Sequence, residues 1–139
     1  MKTRAYLTLS DAELLLESAQ EYAVQHNFNV SISIVDASGY LLAMKRLDGA
    51  PPISAHISLE KAKCSALSLK PSKVYEDMVK NGRGGFLSIT NFVGLLEGGE
   101  PVFHESELVG AVGVSGVQAF QDAEIAKYAI DKFLSQLKV

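Results

Sequence analysis

Gly110-Ala111-Val112-Gly113-Val114-Ser115-Gly116 is an apolar run with almost no bulk, followed at once by the amphipathic segment that ends the chain. Period-two alternation puts Leu108, Val112 and Val114 toward a core and Val109, Ala111, Gly113 and Ser115 on the other face. Glycine weakens a strand interior unless something must approach it closely. The run therefore predicts a strand whose thin face receives another part of the chain, a second subunit or a ligand.

Three nucleotide or catalytic motifs fail here on residue identity. No lysine follows Gly116 as a P-loop requires, the glycine spacing is Gly110-x-x-Gly113-x-x-Gly116 rather than Gly-x-Gly-x-x-Gly, and Val117 stands where a nucleophile elbow needs glycine. A helix starting after Gly116 would still offer free N–H groups to an anion.

On the N-terminal side, Pro101 to His104 and Glu107 to Ser115 read as two strands joined at Glu105-Ser106. Phe86-Leu87-Ser88-Ile89 reads as a further strand between the Gly84-Gly85 and Gly98-Gly99 turns. Upstream, Val30, Ile32 and Ile34 alternate with Ser31 and Ser33, Ala37-Ser38-Gly39 is a turn, and Tyr40 to Leu47 returns as a hairpin partner. Asp36 is expected to accept backbone N–H groups of that turn.

Helices fill the rest. Ser10 with Glu13 forms a capping box before the stripe Ala12, Leu15, Leu16, Ala19 and Ala23. Ser54 is placed to cap a second helix whose buried stripe is Ala55, Leu59, Ala62, Ala66 and Leu69, with Cys64 off the stripe as an inert packed thiol. Pro71 opens a short helix, Ser72 to Lys80, and Ala119 to Gln136 forms the last, with Ala123, Ala126, Ile130, Phe133 and Leu137 on one face. Hairpin, helical excursion and second hairpin make an α+β arrangement, an antiparallel sheet with helices packed on it.

The chain has 139 residues, read as one domain over 1–139, with a net charge of −3 and no Lys/Arg cluster, which argues against a nucleic-acid partner. Its one cysteine excludes an intrachain disulfide and a cysteine-based zinc site. Neither a signal-peptide core nor a membrane-length apolar run is present, so a cytoplasmic location without membrane partners is expected.

Four blocks in order, Ser33 to Gly39, Arg46-Leu47-Asp48-Gly49-Ala50, Lys61-Ala62, and Gly110 to Gly116 with Gln121-Asp122 after it, resemble the GlcG/HbpS family, which includes the C-terminal domain of PduO-type proteins. The resemblance implies a profilin-like α/β/α fold with a central antiparallel sheet of about five strands. It also implies homo-oligomers, dimers or higher, and ties to bacterial catabolic operons. Some members bind haem, and a few are described as degrading it or sensing redox state with it. In such a fold the thin Ala111/Gly113/Ser115 face would meet the last helix, a second subunit or a flat ligand, with packing favoured over ligand.

The candidate ligand-binding set is Arg46, Asp48, His56, Lys61 and Ser115. Arg46 and Lys61 could grip carboxylates such as haem propionates, or Arg46 and Asp48 could pair and pin their loop. Haem iron takes His, Cys, Met or Tyr. Of three histidines, His56 is the candidate iron or metal ligand; it shares a helix face with Glu60 at i,i+4, while Lys63 could pair Glu60 instead. His26 suits a helix C-terminus and His104 a strand end. The leading expectation is a small binding protein for haem, another tetrapyrrole or a small molecule. The alternatives are an enzyme using Asp36, Asp48 or His104 as acid or base, with N–H groups after Gly113 stabilising an anion, and a non-catalytic accessory subunit.

Overall fold

A computed structural model describes residues 1–137, so the last two positions of the expected 1–139 domain lie outside the described residues. The elements are α1 (Leu9–Gln25), β1 (Ser31–Asp36), β2 (Leu41–Arg46), α2 (Ile53–Ser68), α3 (Lys73–Lys80), a 3-10 turn (Gly84–Ser88), β3 (Gly99–His104), β4 (Glu107–Ser115) and α4 (Ala119–Gln136). The sheet has four antiparallel strands in the order β2-β1-β4-β3. Helices α1 and α4 cover one face around Ile32, Ile34, Val112 and Val114, and α2 covers the other around Val35 and Ala111.

The sheet thus has four strands rather than about five. The expected strand at Phe86–Ile89 is instead the 3-10 turn and its exit. Pro101 lies in β3, and a proline without an N–H keeps its strand at the sheet's edge. The first helix is capped by Thr8 with Asp11 rather than Ser10 with Glu13: Asp11 N–H donates to Thr8 Oγ1 and Thr8 N–H to Asp11 Oδ2. The helix starts two residues earlier, and Leu7 and Ala12, on either side of the cap, both lie in the core.

Leu108 and Val112 do not share a face. Val102 pairs with Gly110 and Phe103 with Leu108, so Val109 is an extra residue in β4. That bulge flips the alternation, turning Leu108 toward α2 and Val109 toward α1 and α4.

The thin face of β4 is covered by α2, not by the last helix. Gly99 and Gly113 are cross-strand partners, and the helix backbone lies directly on them. A Cβ built on Gly113 would overlap the Ser58 carbonyl oxygen and stand 2.6 Å from Ala62 N; one built on Gly99 would overlap the Lys61 carbonyl. Such an approach leaves no room for bulk on either partner, and the facing side of α2 is small and polar.

Ser54, Ser58, Lys61 and Ser65 are buried beside Ala62 and Ala66, whereas Ala55 and Leu59 are only half-buried and Leu69 is exposed as the left-handed C-cap. Ser54 caps nothing. Its Oγ donates to Pro51 O, which leaves Ser31 Oγ to donate to Ser54 Oγ across 2.8 Å. The Ser33–Ser58 pair, also 2.8 Å, repeats the arrangement, with Ser58 bonding Ala55 O. The serines of β1 are therefore as buried as its isoleucines, and their hydroxyls stay bonded, as burial requires. Leu137, expected on the buried face of α4, is exposed at its C-cap.

At the centre of this interface, Lys61 Nζ donates to Asp122 Oδ2 at 3.0 Å and to Val114 O at 2.9 Å, with both side chains almost fully buried. Burial pushes the Asp122 carboxyl above its ordinary range, and the Lys61 ammonium with the N–H groups of Val117 and Gly116 pulls it back. On the opposite face Glu100 of β3 is buried beside the exposed Lys127 of α4, 3.6 Å away, and burial likewise raises its carboxyl.

Three outcomes follow. Gly113→Ala should cost about 3 kcal/mol or more in urea denaturation, because backbone rather than a flexible side chain must move. Asp122→Asn, which strands a buried ammonium, should cost about 3–5 kcal/mol, and the double variant Lys61→Met/Asp122→Leu should recover much of it. A raised folded-state pKa adds stability that is full below the unfolded value and lost as pH rises through the folded one. Wild type should therefore lose stability relative to Glu100→Gln as pH climbs above the ordinary glutamate value of about 4.

Candidate functional site

Cross-strand register lines up Arg46, Ser31 and Ser115 in one row across three strands, at the end of the sheet where α2 and α4 begin. Directly opposed residues share a face, so all three lie on the α2 side, Ser31 and Ser115 buried and Arg46 exposed at the sheet's edge. Asp48 is exposed in the following loop, and among the described residues no ion pair joins it to Arg46. Lys61 is inside the fold, its charge spent on Asp122 and Val114. His56 is exposed, two positions round α2 from the sheet-facing Ser54. Glu60 pairs with Lys63 at 3.6 Å. The structure thus brings Arg46 and Ser115 to one end of the sheet without assembling the five candidates around one point.

The N–H groups after Gly113 meet an anion that the chain supplies itself. Asp122, in the first turn of α4, accepts from Val117 N at 3.1 Å and from Gly116. The helix N-terminus expected to favour a bound anion is occupied by this carboxylate. Gln121-Asp122 in the sequence was the signal for it.

Among the described residues no three His, Cys, Asp or Glu side chains gather as a metal set, so His56 could serve iron only singly, as an axial ligand does. Cys64 is buried, and burial pushes its thiol up to about 12, which matches the inert role expected of it. His26 caps α1: its Nδ1 is 2.8 Å from Tyr22 O and its ring stacks between Tyr22 and Phe28.

The cleft best suited to a ligand lies between the sheet edge and α2, where sequence reasoning placed nothing. Asp36 Oδ1 accepts the N–H groups of Ser38 and Tyr40 at 2.8 and 3.0 Å, and Gly39 takes φ +85°, as the turn chemistry predicted. This sets Ser38, Gly39, Tyr40 and Leu41 as one wall, facing Leu59, Lys63 and Leu67 of α2, with Asn91 at the rim. The space is about 580 Å³. Tyr40, Leu41 and Leu67 are 74%, 46% and 48% exposed, an apolar cluster facing water at the mouth of a cavity. None of Arg46, Asp48, His56, Lys61 and Ser115 lines it.

A second concavity, about 440 Å³, flanks the N-terminal residues at the other side of the β1–β2 turn, between Lys2, Arg4, Leu69 and Glu107. Arg4 pins it by donating to Leu108 O, and His104 borders an adjoining hollow of about 290 Å³. Its frame carries the exposed charges of Lys2, Arg4 and Glu107, and it is the smaller of the two spaces.

No helix among the described residues is long and apolar enough to cross a membrane. Residues 7–131 match the family model described as haem degrading protein HbpS-like. Protein GlcG of Escherichia coli K12 is 44% identical over 115 residues, 83% of this chain and 85% of that protein. The crystal structure of Klebsiella pneumoniae protein ORFY is similar at a TM-score of 0.89 and 30% identity, covering 96% of this chain and 95% of that one. That of a PduOC–haem complex is similar at 0.85 and 28%, covering 91% and 94%. With a family model spanning most of the chain and a relative this similar, the protein belongs to the HbpS-like family.

Proposed function

We propose that this protein binds a flat, largely apolar anion of the tetrapyrrole type, haem above all, in the cleft between β2 and α2. The observation that carries the reading is the cleft itself. Its volume of about 580 Å³ falls within the roughly 300–1,000 Å³ usual for small-molecule sites, and its lining combines Tyr40, Leu41, Leu59 and Leu67 with one cation and the polar Ser38 and Asn91.

The residues fit a porphyrin's body and its carboxylates. Tyr40, Leu41, Leu59 and Leu67 would exclude water from the ring faces, and the Lys63 ammonium would bond a propionate. Met44 and Arg46 continue the same face of the strand beyond Leu41, so Arg46 extends the cationic character of the edge. Haem, when bound, would supply a redox-active iron. Membership of the HbpS-like family and the likeness to a PduO domain solved with haem support this reading. Self-association belongs to it as well: Ile53 of α2 and Leu87, Ile89 and Val93 after α3 are left exposed, apolar side chains that a second copy would cover.

Haemin titration followed in the Soret region tests it. Wild type should saturate at one haemin per chain, and Leu67→Asp, a change at a half-exposed residue that leaves the circular dichroism unchanged, should weaken binding by about tenfold or more. Wild-type affinity in Leu67→Asp would overturn the assignment of the cleft.

A further inference from the structure

The geometry points to Tyr40 as the protein ligand of the iron, an assignment that rests on the tetrapyrrole reading above. Haem iron is held by His, Cys, Met or Tyr side chains. Among the residues lining the cleft, Tyr40 alone belongs to that set.

The histidines and the cysteine do not line the cleft, and Met44, on the same face of the strand as Leu41, lies beyond its lining. His56 is exposed on the flank of α2 that carries Leu59, Lys63 and Leu67, but one turn before Leu59 and outside the residues that line the cleft. His26 is held by Tyr22, and His104 borders the hollow by the N-terminal residues. Cys64 is buried with its thiol pushed up to about 12, so it offers no thiolate.

Tyr40 is also held in position as a ligand must be. Its backbone is fixed from both sides, the N–H by Asp36 Oδ1 at 3.0 Å and the carbonyl by Asp36 N–H at 2.8 Å. The side chain itself is 74% exposed, and among the described residues its hydroxyl makes no hydrogen bond. Tyr40 would hold the iron through its phenolic oxygen, its proton going to water at the open mouth of the cleft.

Haemin complexes of wild type, Tyr40→Phe and His56→Ala, compared by electronic absorption and electron paramagnetic resonance, decide the assignment. Tyr40→Phe keeps the ring against the cleft and removes only the oxygen. It should bind haemin about tenfold more weakly or worse and lose the phenolate-to-iron charge-transfer absorption, while His56→Ala keeps the wild-type spectrum. A wild-type spectrum in Tyr40→Phe, or a changed one in His56→Ala alone, overturns Tyr40 ligation and leaves the cleft reading standing. Failure of the wild type itself to reach saturation overturns the cleft reading, and this assignment with it.

Discussion

The ion pair between Lys61 and Asp122 ties the three layers together. Lys61 leaves α2, reaches Val114 of the sheet and meets Asp122 of α4, whose other oxygen holds Gly116 and Val117 at the strand-to-helix corner. A charge this deep is tolerated because every donor and acceptor around it is used: among the described residues no buried side-chain nitrogen or oxygen lacks a partner. The pair also requires α2 to lie close to the sheet. That closeness is supplied by Gly99 and Gly113, and the serine pairs then line the remaining contact. Remove the glycines and the ammonium cannot reach; remove the carboxylate and the corner before α4 loses its anchor.

Much of this architecture was legible in the sequence because it is local. Asp36 and Gly39 specify a turn by their own chemistry, and the last helix begins and ends where its periodicity says it should. The polar face of α2 was not legible. Hydropathy favours the stripe Ala55, Leu59, Ala62, Ala66 and Leu69, but a hydroxyl that finds a hydroxyl across the interface can be buried, and only the tertiary structure supplies that partner. The Val109 bulge escaped for the same reason, since one extra residue in a strand is defined by its neighbour.

The candidate site divides along the same line. The signature residues Lys61 and Asp122 turned out to hold the fold, and Arg46 and Ser115 mark one end of the sheet. The cleft is assembled from a turn, a helix flank and a distant segment that share no sequence pattern. Its floor exists because α2 is drawn down onto β4: the turn at Gly39 packs against Leu67 and Lys63, so that a Cβ built on Gly39 would stand 3.4 Å from Leu67 Cγ. Residues that build the helix–sheet contact therefore set the width of the space a ligand would enter, while the residues that would touch the ligand are the exposed ones around it.

Paramagnetic broadening of amide NMR signals on adding ferric haemin addresses the central claim most directly, because iron marks its own surroundings. The account predicts loss of signal confined to Ser38–Leu41 and to the Leu59–Leu67 flank of α2. Broadening centred instead on residues 2–5 and 104–107, or spread evenly over the surface, would contradict it.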